Sequence, residues 1–144
     1  MINKQDTPIP QGQYLPAKRF NNIIYTAGMT PRNKGKVILE GKITVDRPLD
    51  FYKPAVCQAV SNALVAAVNC LQDNEKIATI ITMTVYVNAE EGFTAHSKLA
   101  DFASAFLCEK LGEVGVASRV AIGVATLPGN APVEIQLIAG ISEK

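Results

Sequence analysis

Between residues 77 and 88 the chain alternates in character. Ile81, Met83, Val85 and Val87 fall on one side of an extended backbone, and Thr82, Thr84 and Tyr86 on the other. Side chains of a strand point to opposite faces in turn, so this pattern defines a strand with one fully apolar face that must be covered. Its sequence neighbours supply the cover. From Asp50 to Gln72, the residues Val56, Val60, Ala63, Leu64, Ala67, Val68 and Leu71 recur at three- and four-residue steps, the spacing of a helical stripe. Asp50 is placed to cap this helix and Pro54 suits its first turn. The alanines in the stripe let the helix lie close to a sheet. A second helix is predicted from Phe93 to Leu111, with Leu99, Phe102, Ala103, Phe106 and Leu107 inward and Gly112 as its stop.

The other strands are shorter. Leu15–Phe20 and Ile23–Met29 form a hairpin through Asn21-Asn22, a pair that tolerates left-handed backbone, and Gly28 and Pro31 end the second strand. Residues 32–50 mix charge with Gly35, Gly41 and Pro48, but also hold Val37-Ile38-Leu39 and Ile43-Thr44-Val45. They read as an excursion with one or two short strands. Val116–Leu127 and Val133–Ile141 are strands joined by Pro128-Gly129-Asn130-Ala131-Pro132, which is turn chemistry. Residues 1–13 are an irregular lead-in. The order ββ(β)-α-β-α-ββ makes residues 1–144 a single two-layer α+β domain, long enough for a core of its own. Two helices cover one sheet face only. The other face is expected to carry Ile80, Thr82, Ile122, Val124 and Ile138, so a second copy of the chain is expected to bury it.

Composition excludes several classes. Fourteen basic against thirteen acidic residues leave a net charge of +1, which offers nucleic acid or an anionic membrane no general attraction. No run reaches the ~20 apolar residues of a membrane span. The opening Met1-Ile2-Asn3-Lys4-Gln5-Asp6 lacks the apolar centre of a signal peptide, so a cytoplasmic protein is expected. Cys57, Cys70 and Cys108 are odd in number and widely spaced, reading as small reduced residues. His96 lies twelve positions before Cys108, more than three helical turns away, so no Cys–His pair forms along that helix. Metal-ligand clusters are absent, and no metal site is expected.

Two charges stand in the final apolar strands. Arg119 shares a face with Ala121, Gly123 and Ala125, and these small neighbours leave space beside a guanidinium able to hold a carboxylate through two parallel hydrogen bonds. An ion pair with Glu134 or another subunit would explain Arg119 equally. Glu134, flanked by Val133 and Ile135, would have a raised pKa if buried and could then exchange protons with a substrate; a paired or edge carboxylate is the alternative. Tyr14, in a Gly/Pro loop, suits either the rim of a pocket or packing. His96 reads as a solvated helix residue and Lys34-Gly35-Lys36 as a solvated loop.

Three stretches together resemble the YjgF-like family, also called the reactive intermediate deaminase or RidA family. They are Gly12-Gln13-Tyr14-Leu15-Pro16 with Asn22-Ile23-Ile24-Tyr25-Thr26-Ala27-Gly28; the helix through Asn62 and Leu64 with Ile81–Val87 and Phe93; and Arg119 through Ala139, with Leu127-Pro128 and Val133-Glu134-Ile135 in register. The resemblance implies a chorismate-mutase-like α+β fold, assembled as a homotrimer with clefts between subunits. It implies hydrolysis of reactive enamines and imines to 2-keto acids and ammonia, without a cofactor. It also implies roles. Arg119 would grip the substrate carboxylate, Glu134 would position or activate water, and Tyr14 and Gly28 would border the cleft. Ala27 and Ala121 would line it where relatives carry serine and often cysteine. Met29 and Ser97 are further departures, replacing glutamine and asparagine, and place the chain in a divergent branch. A trimeric metabolite-binding protein that keeps the carboxylate clamp without turnover is the alternative. An endoribonuclease or translation inhibitor is another, which the near-neutral charge does not favour.

Overall fold

Asn21 adopts a φ of 54° and folds Ala17–Phe20 (β1) back onto Ile23–Thr26 (β2), as its short polar side chain permits. The structure, a computed structural model, describes residues 8–144; the first part of the expected lead-in, residues 1–7, lies outside them. The excursion that follows β2 forms a small hairpin of Arg32–Asn33 (β3) and Lys36–Val37 (β4). Ile43 then makes a single parallel bridge to Ala89, so the second predicted strand there is reduced to one residue. Helix α1, Lys53–Val68, precedes Glu75–Asn88 (β5); helix α2, His96–Leu111, precedes Ser118–Val124 (β6) and Val133–Glu143 (β7).

The five long strands form one mixed sheet in the order β1-β2-β7-β5-β6. β5 runs parallel to β6 and antiparallel to the central strand β7. Both helices lie on one face, giving the two-layer α+β architecture expected. Leu64, Leu99 and Leu107 from the helices meet Ile24, Met83, Val85, Ile135 and Leu137 from the sheet, all essentially inaccessible to solvent. Ala55, Ala59, Ala63 and Ala67 of α1 are equally buried, as close helix-to-sheet contact requires.

Two expectations are corrected. Asp50 does not cap α1: it lies in a 3-10 turn, Leu49–Tyr52, and the residue before the helix is Tyr52. Tyr52 is buried and its hydroxyl accepts a hydrogen bond from the Thr44 amide at 3.0 Å, so an aromatic anchor sets the start of the helix. Pro54 falls in the first turn as expected. Along β5, Ile80 rather than Ile81 enters the core. The β5–β7 register slips between Ile77 and Thr79 and again between Ile80 and Thr82. Each bulge inserts a residue and resets the pleat, so Ile77, Ile80 and Met83 all point toward the helices and Ile81 turns outward.

The sheet face away from the helices is apolar and open. Phe20, Tyr25, Ile81, Val120 and Ile122 are all exposed on it, Phe20 by 70%. The sequence pattern anticipated this face, with Ile81 taking the place assigned to Ile80.

Candidate functional site

Beyond Tyr25, β2 drifts out of register with β7. Tyr25 pairs with Ile138 and Met29 with Ile135, so four steps on one strand oppose three on the other. The buried Thr26 hydroxyl fills the interrupted ladder, accepting from the Leu137 amide at 2.9 Å and donating to the Ala27 carbonyl at 2.9 Å. The bulge lifts Ala27 and Gly28 from the regular ladder, and Glu134 lies against it. A Cβ on Gly28 would sit 2.8 Å from both the carboxyl carbon and Oε2 of Glu134. Residue 28 must therefore lack a side chain while this carboxyl group stays in place.

Glu134 lies on the open sheet face, in line with Tyr86 of β5. It is half-buried, and burial pushes its pKa up from the usual carboxylate range. Among the described residues it has no hydrogen-bond or ion-pair partner. Neighbouring Gln136 reaches the Thr26 carbonyl at 3.2 Å. A carboxyl group in this setting is suited to exchange a proton with a bound ligand or water.

Arg119 occupies the opposite face. It pairs in register with buried Met83, and its side chain runs under α2. Nη1 donates to the Ser104 hydroxyl and contacts Asp101 Oδ1, both at 2.8 Å; Nη2 donates to the carbonyl and hydroxyl of Ser97, both at 2.8 Å. Ala121 and Gly123 continue this face, and Ala121 packs against the core. A Cβ on Gly123 would lie 2.9 Å from Nε2 of His96, which also stacks edge-on against Phe93. His96, the first residue of α2, is thus half-buried against β6 rather than solvated as expected.

Glu134 and Arg119 are not brought together within the chain. β5 separates their strands, and two strand spacings plus three residues of rise put their Cα atoms roughly 14 Å apart, with side chains on opposite faces. An intrachain ion pair between them, left open by the sequence, is absent.

Tyr14 and Gly28 line a cleft of about 450 Å³ with Gln11, Arg32, Gln58 and Asn62. The Tyr14 ring folds over Gly12, and its hydroxyl accepts from the Gln11 amide at 3.1 Å. Asn62 of α1 pins the far wall, its Nδ2 donating to the carbonyls of Thr30 and Arg32 at 3.1 and 2.8 Å. Neither Glu134 nor Arg119 lines this cleft. Ala27 is half-buried beside Gly28, its amide donating to Pro16 at 2.8 Å, while Met29 enters the core. Sequence reasoning missed Asp101 and Ser104. Their spacing from Ser97, four and seven residues, places all three on one helix face and was the available signal. Cys57 and Cys70 have pKa values raised by burial, which suits inert thiols. Among the described residues no group of three or more metal-ligating side chains forms, and no helix is long and apolar enough to cross a membrane.

The two-helix layer on this mixed sheet is an architecture shared with proteins of known structure. The family model described as endoribonuclease L-PSP matches residues 4–141. The chain belongs to that family, the YjgF/RidA family that its motifs resemble. Protein TCP17 of Trypanosoma cruzi is 28% identical over 124 residues, covering 83% of this chain and 75% of that protein. The crystal structure of Atu1372 from Agrobacterium tumefaciens, of unknown function, matches with a TM-score of 0.82 at 29% identity, covering 93% of this chain and 86% of that one. E. coli TdcF, solved with bound serine, shares the fold with a TM-score of 0.64 at 21% identity over 97% of both chains.

Proposed function

We propose that this chain is one subunit of a homotrimeric, cofactor-free deaminase that hydrolyses 2-imino acids and their enamine tautomers to 2-keto acids and ammonia. The observation that carries the reading is the placement of Glu134 and Arg119 on opposite sheet faces. A site that needs both draws them from two chains, and the exposed apolar face around Tyr25, Ile81, Val120 and Ile122 is where a neighbour would pack. Covering that face would complete the burial of Glu134 that already raises its pKa.

In this scheme the substrate carboxylate is held by Arg119 of one subunit. Glu134 of the other takes a proton from water as the water oxygen bonds to the iminium carbon, and the C=N π electrons pass to nitrogen. Glu134 then returns the proton to the amine of the carbinolamine. The C–N bond breaks as the hydroxyl proton passes to the Glu134 carboxylate, leaving the keto acid and ammonia, which takes that proton away as ammonium. An iminium carbon is already electrophilic, so orientation and one proton shuttle suffice. Tyr14, Ala27, Gly28 and Ala121 would border the cleft.

The test supplies a fresh 2-imino acid from an amino-acid oxidase and follows keto-acid release. Acceleration by wild type that disappears in Arg119→Ala and Glu134→Gln is expected. Absence of acceleration across a panel of imino acids overturns the reaction. A binding protein without turnover is the second reading, favoured by the intrachain partners that already hold both terminal nitrogens of Arg119. It predicts keto-acid binding with no acceleration. The ribonuclease activity in the family's name predicts cleavage of labelled RNA instead.

A further inference from the structure

The guanidinium of Arg119 is held by two kinds of partner. Ser97 and Ser104 are neutral and lie one above the other on α2, at either end of the guanidinium. They fix its plane without reducing its charge. Asp101, between them on the same helix face, is different. It contacts Nη1 through a single oxygen at 2.8 Å, and its side chain is 66% exposed while that of Arg119 is 20% exposed. The other ion pair among the described residues shows what a structural pair looks like here: Arg19 grips Glu75 through two hydrogen bonds of 2.6 and 2.7 Å, and the Glu75 side chain is only 10% exposed. The Arg119–Asp101 contact has neither the second bond nor the burial.

A carboxylate ligand binds a guanidinium best through two parallel N–H groups. With Ser104 and Asp101 on Nη1 and both Ser97 oxygens on Nη2, neither terminal nitrogen is free to offer such a pair. Asp101 holds one position on Nη1, and it is the partner that one oxygen of an incoming carboxylate can replace like for like. Swinging it into water costs little, because an exposed pair held at one point contributes little. Ser97 and Ser104 keep the guanidinium aimed while the exchange takes place.

We infer that Asp101 is a specificity-determining residue of the site, an internal carboxylate that competes with the ligand's carboxylate for Arg119. The inference rests on the proposed role of Arg119 and deepens it. It makes the site selective for ligands whose carboxylate can displace Asp101, and it sets affinity below what an uncontested arginine would give.

The experiment measures binding of pyruvate and of its neutral amide, pyruvamide, by calorimetry to wild type, Asp101→Asn and Arg119→Ala. Circular dichroism confirms folding of each; position 101 is exposed, so Asn is tolerated there. Removal of a competing exposed carboxylate is expected to tighten pyruvate binding about two- to fivefold in Asp101→Asn. Pyruvamide affinity stays unchanged, and Arg119→Ala loses pyruvate binding. A merely structural pair would lower the melting temperature without changing the pyruvate-to-pyruvamide ratio. Unchanged or weaker pyruvate binding in Asp101→Asn, with binding lost in Arg119→Ala, overturns the competing role and leaves the arginine clamp standing. Pyruvate binding that survives in Arg119→Ala, or is absent from both wild type and Asp101→Asn, overturns both.

Discussion

A single methyl group at position 28 separates the role of Glu134 from the stability of the fold. In Gly28→Ala the new Cβ would lie 2.8 Å from the Glu134 carboxyl carbon and Oε2, and 3.1 Å from its Cγ. Carbon atoms rest at about 3.5–4.0 Å, so the carboxyl group must retreat by roughly 0.7–1.2 Å. Gly28 does not have a left-handed φ, and alanine needs no backbone change there. The displaced group is the end of a flexible side chain. Stability should therefore hold, or rise by up to about 1 kcal/mol through the less flexible unfolded chain. Catalysis should not hold. A shift of ~1 Å in a group that must meet water and substrate lowers rates by on the order of 10²-fold, about 2.7 kcal/mol of barrier. The assay is kcat/KM for imine hydrolysis in the oxidase-coupled system, with a melting curve for each protein. Gly28→Ala melting like wild type and reacting at the wild-type rate would refute the assignment of this carboxyl group to the reacting centre.

Three further outcomes follow from the same geometry. Burial holds the Glu134 carboxyl above the usual range, so between the unfolded and the native titration the folded protein keeps a proton there that the unfolded chain has released. Its contribution to stability falls as pH rises from the ordinary carboxylate range through the native titration, and Glu134→Gln should remove that decline in denaturant unfolding across pH. Glu75 behaves oppositely. The Arg19 hydrogen bonds hold it below the usual range, its contribution is lost as pH falls through the native titration, and Glu75→Gln should flatten the acid limb of the stability profile. Ile122→Asp places a charge on the open sheet face and should leave a folded monomer in solution scattering; an unchanged assembly would show that this face is not the contact.

The element order was legible because helices and strands write different periods, and α1, β5, α2, β6 and β7 each run long enough to show theirs. The bulges were not legible. Ala78 and Ile81 are ordinary strand residues with no glycine to mark a break, and only the pairing with β7 reveals the slip. The bulge at Ala27 and Gly28 was hidden for a related reason: its physical cause is the Thr26 hydroxyl entering the ladder, a contact with a strand more than 100 residues away. For Arg119 the alternation, with Ile122 and Val124 on the open face, already implied the helix side, but not its partners there. Ser97, Asp101 and Ser104 became visible only once α2 was in place over β6. Tyr52 displaced Asp50 at the start of α1 because burial of an aromatic ring outweighs a surface cap.

Arg119 and Glu134 project from opposite sides of one sheet, and on the proposed reading this gives the protein a genetics of its own. Neither residue can serve its own chain's partner residue, so each chain is a donor at one boundary and an acceptor at the next. A chain lacking Arg119 and a chain lacking Glu134 would each assemble into inactive rings. Mixed in one ring, they create at least one boundary where an intact glutamate faces an intact arginine. Two defective alleles would thus complement each other, while an excess of either defective chain would still leave every normal chain with one working boundary.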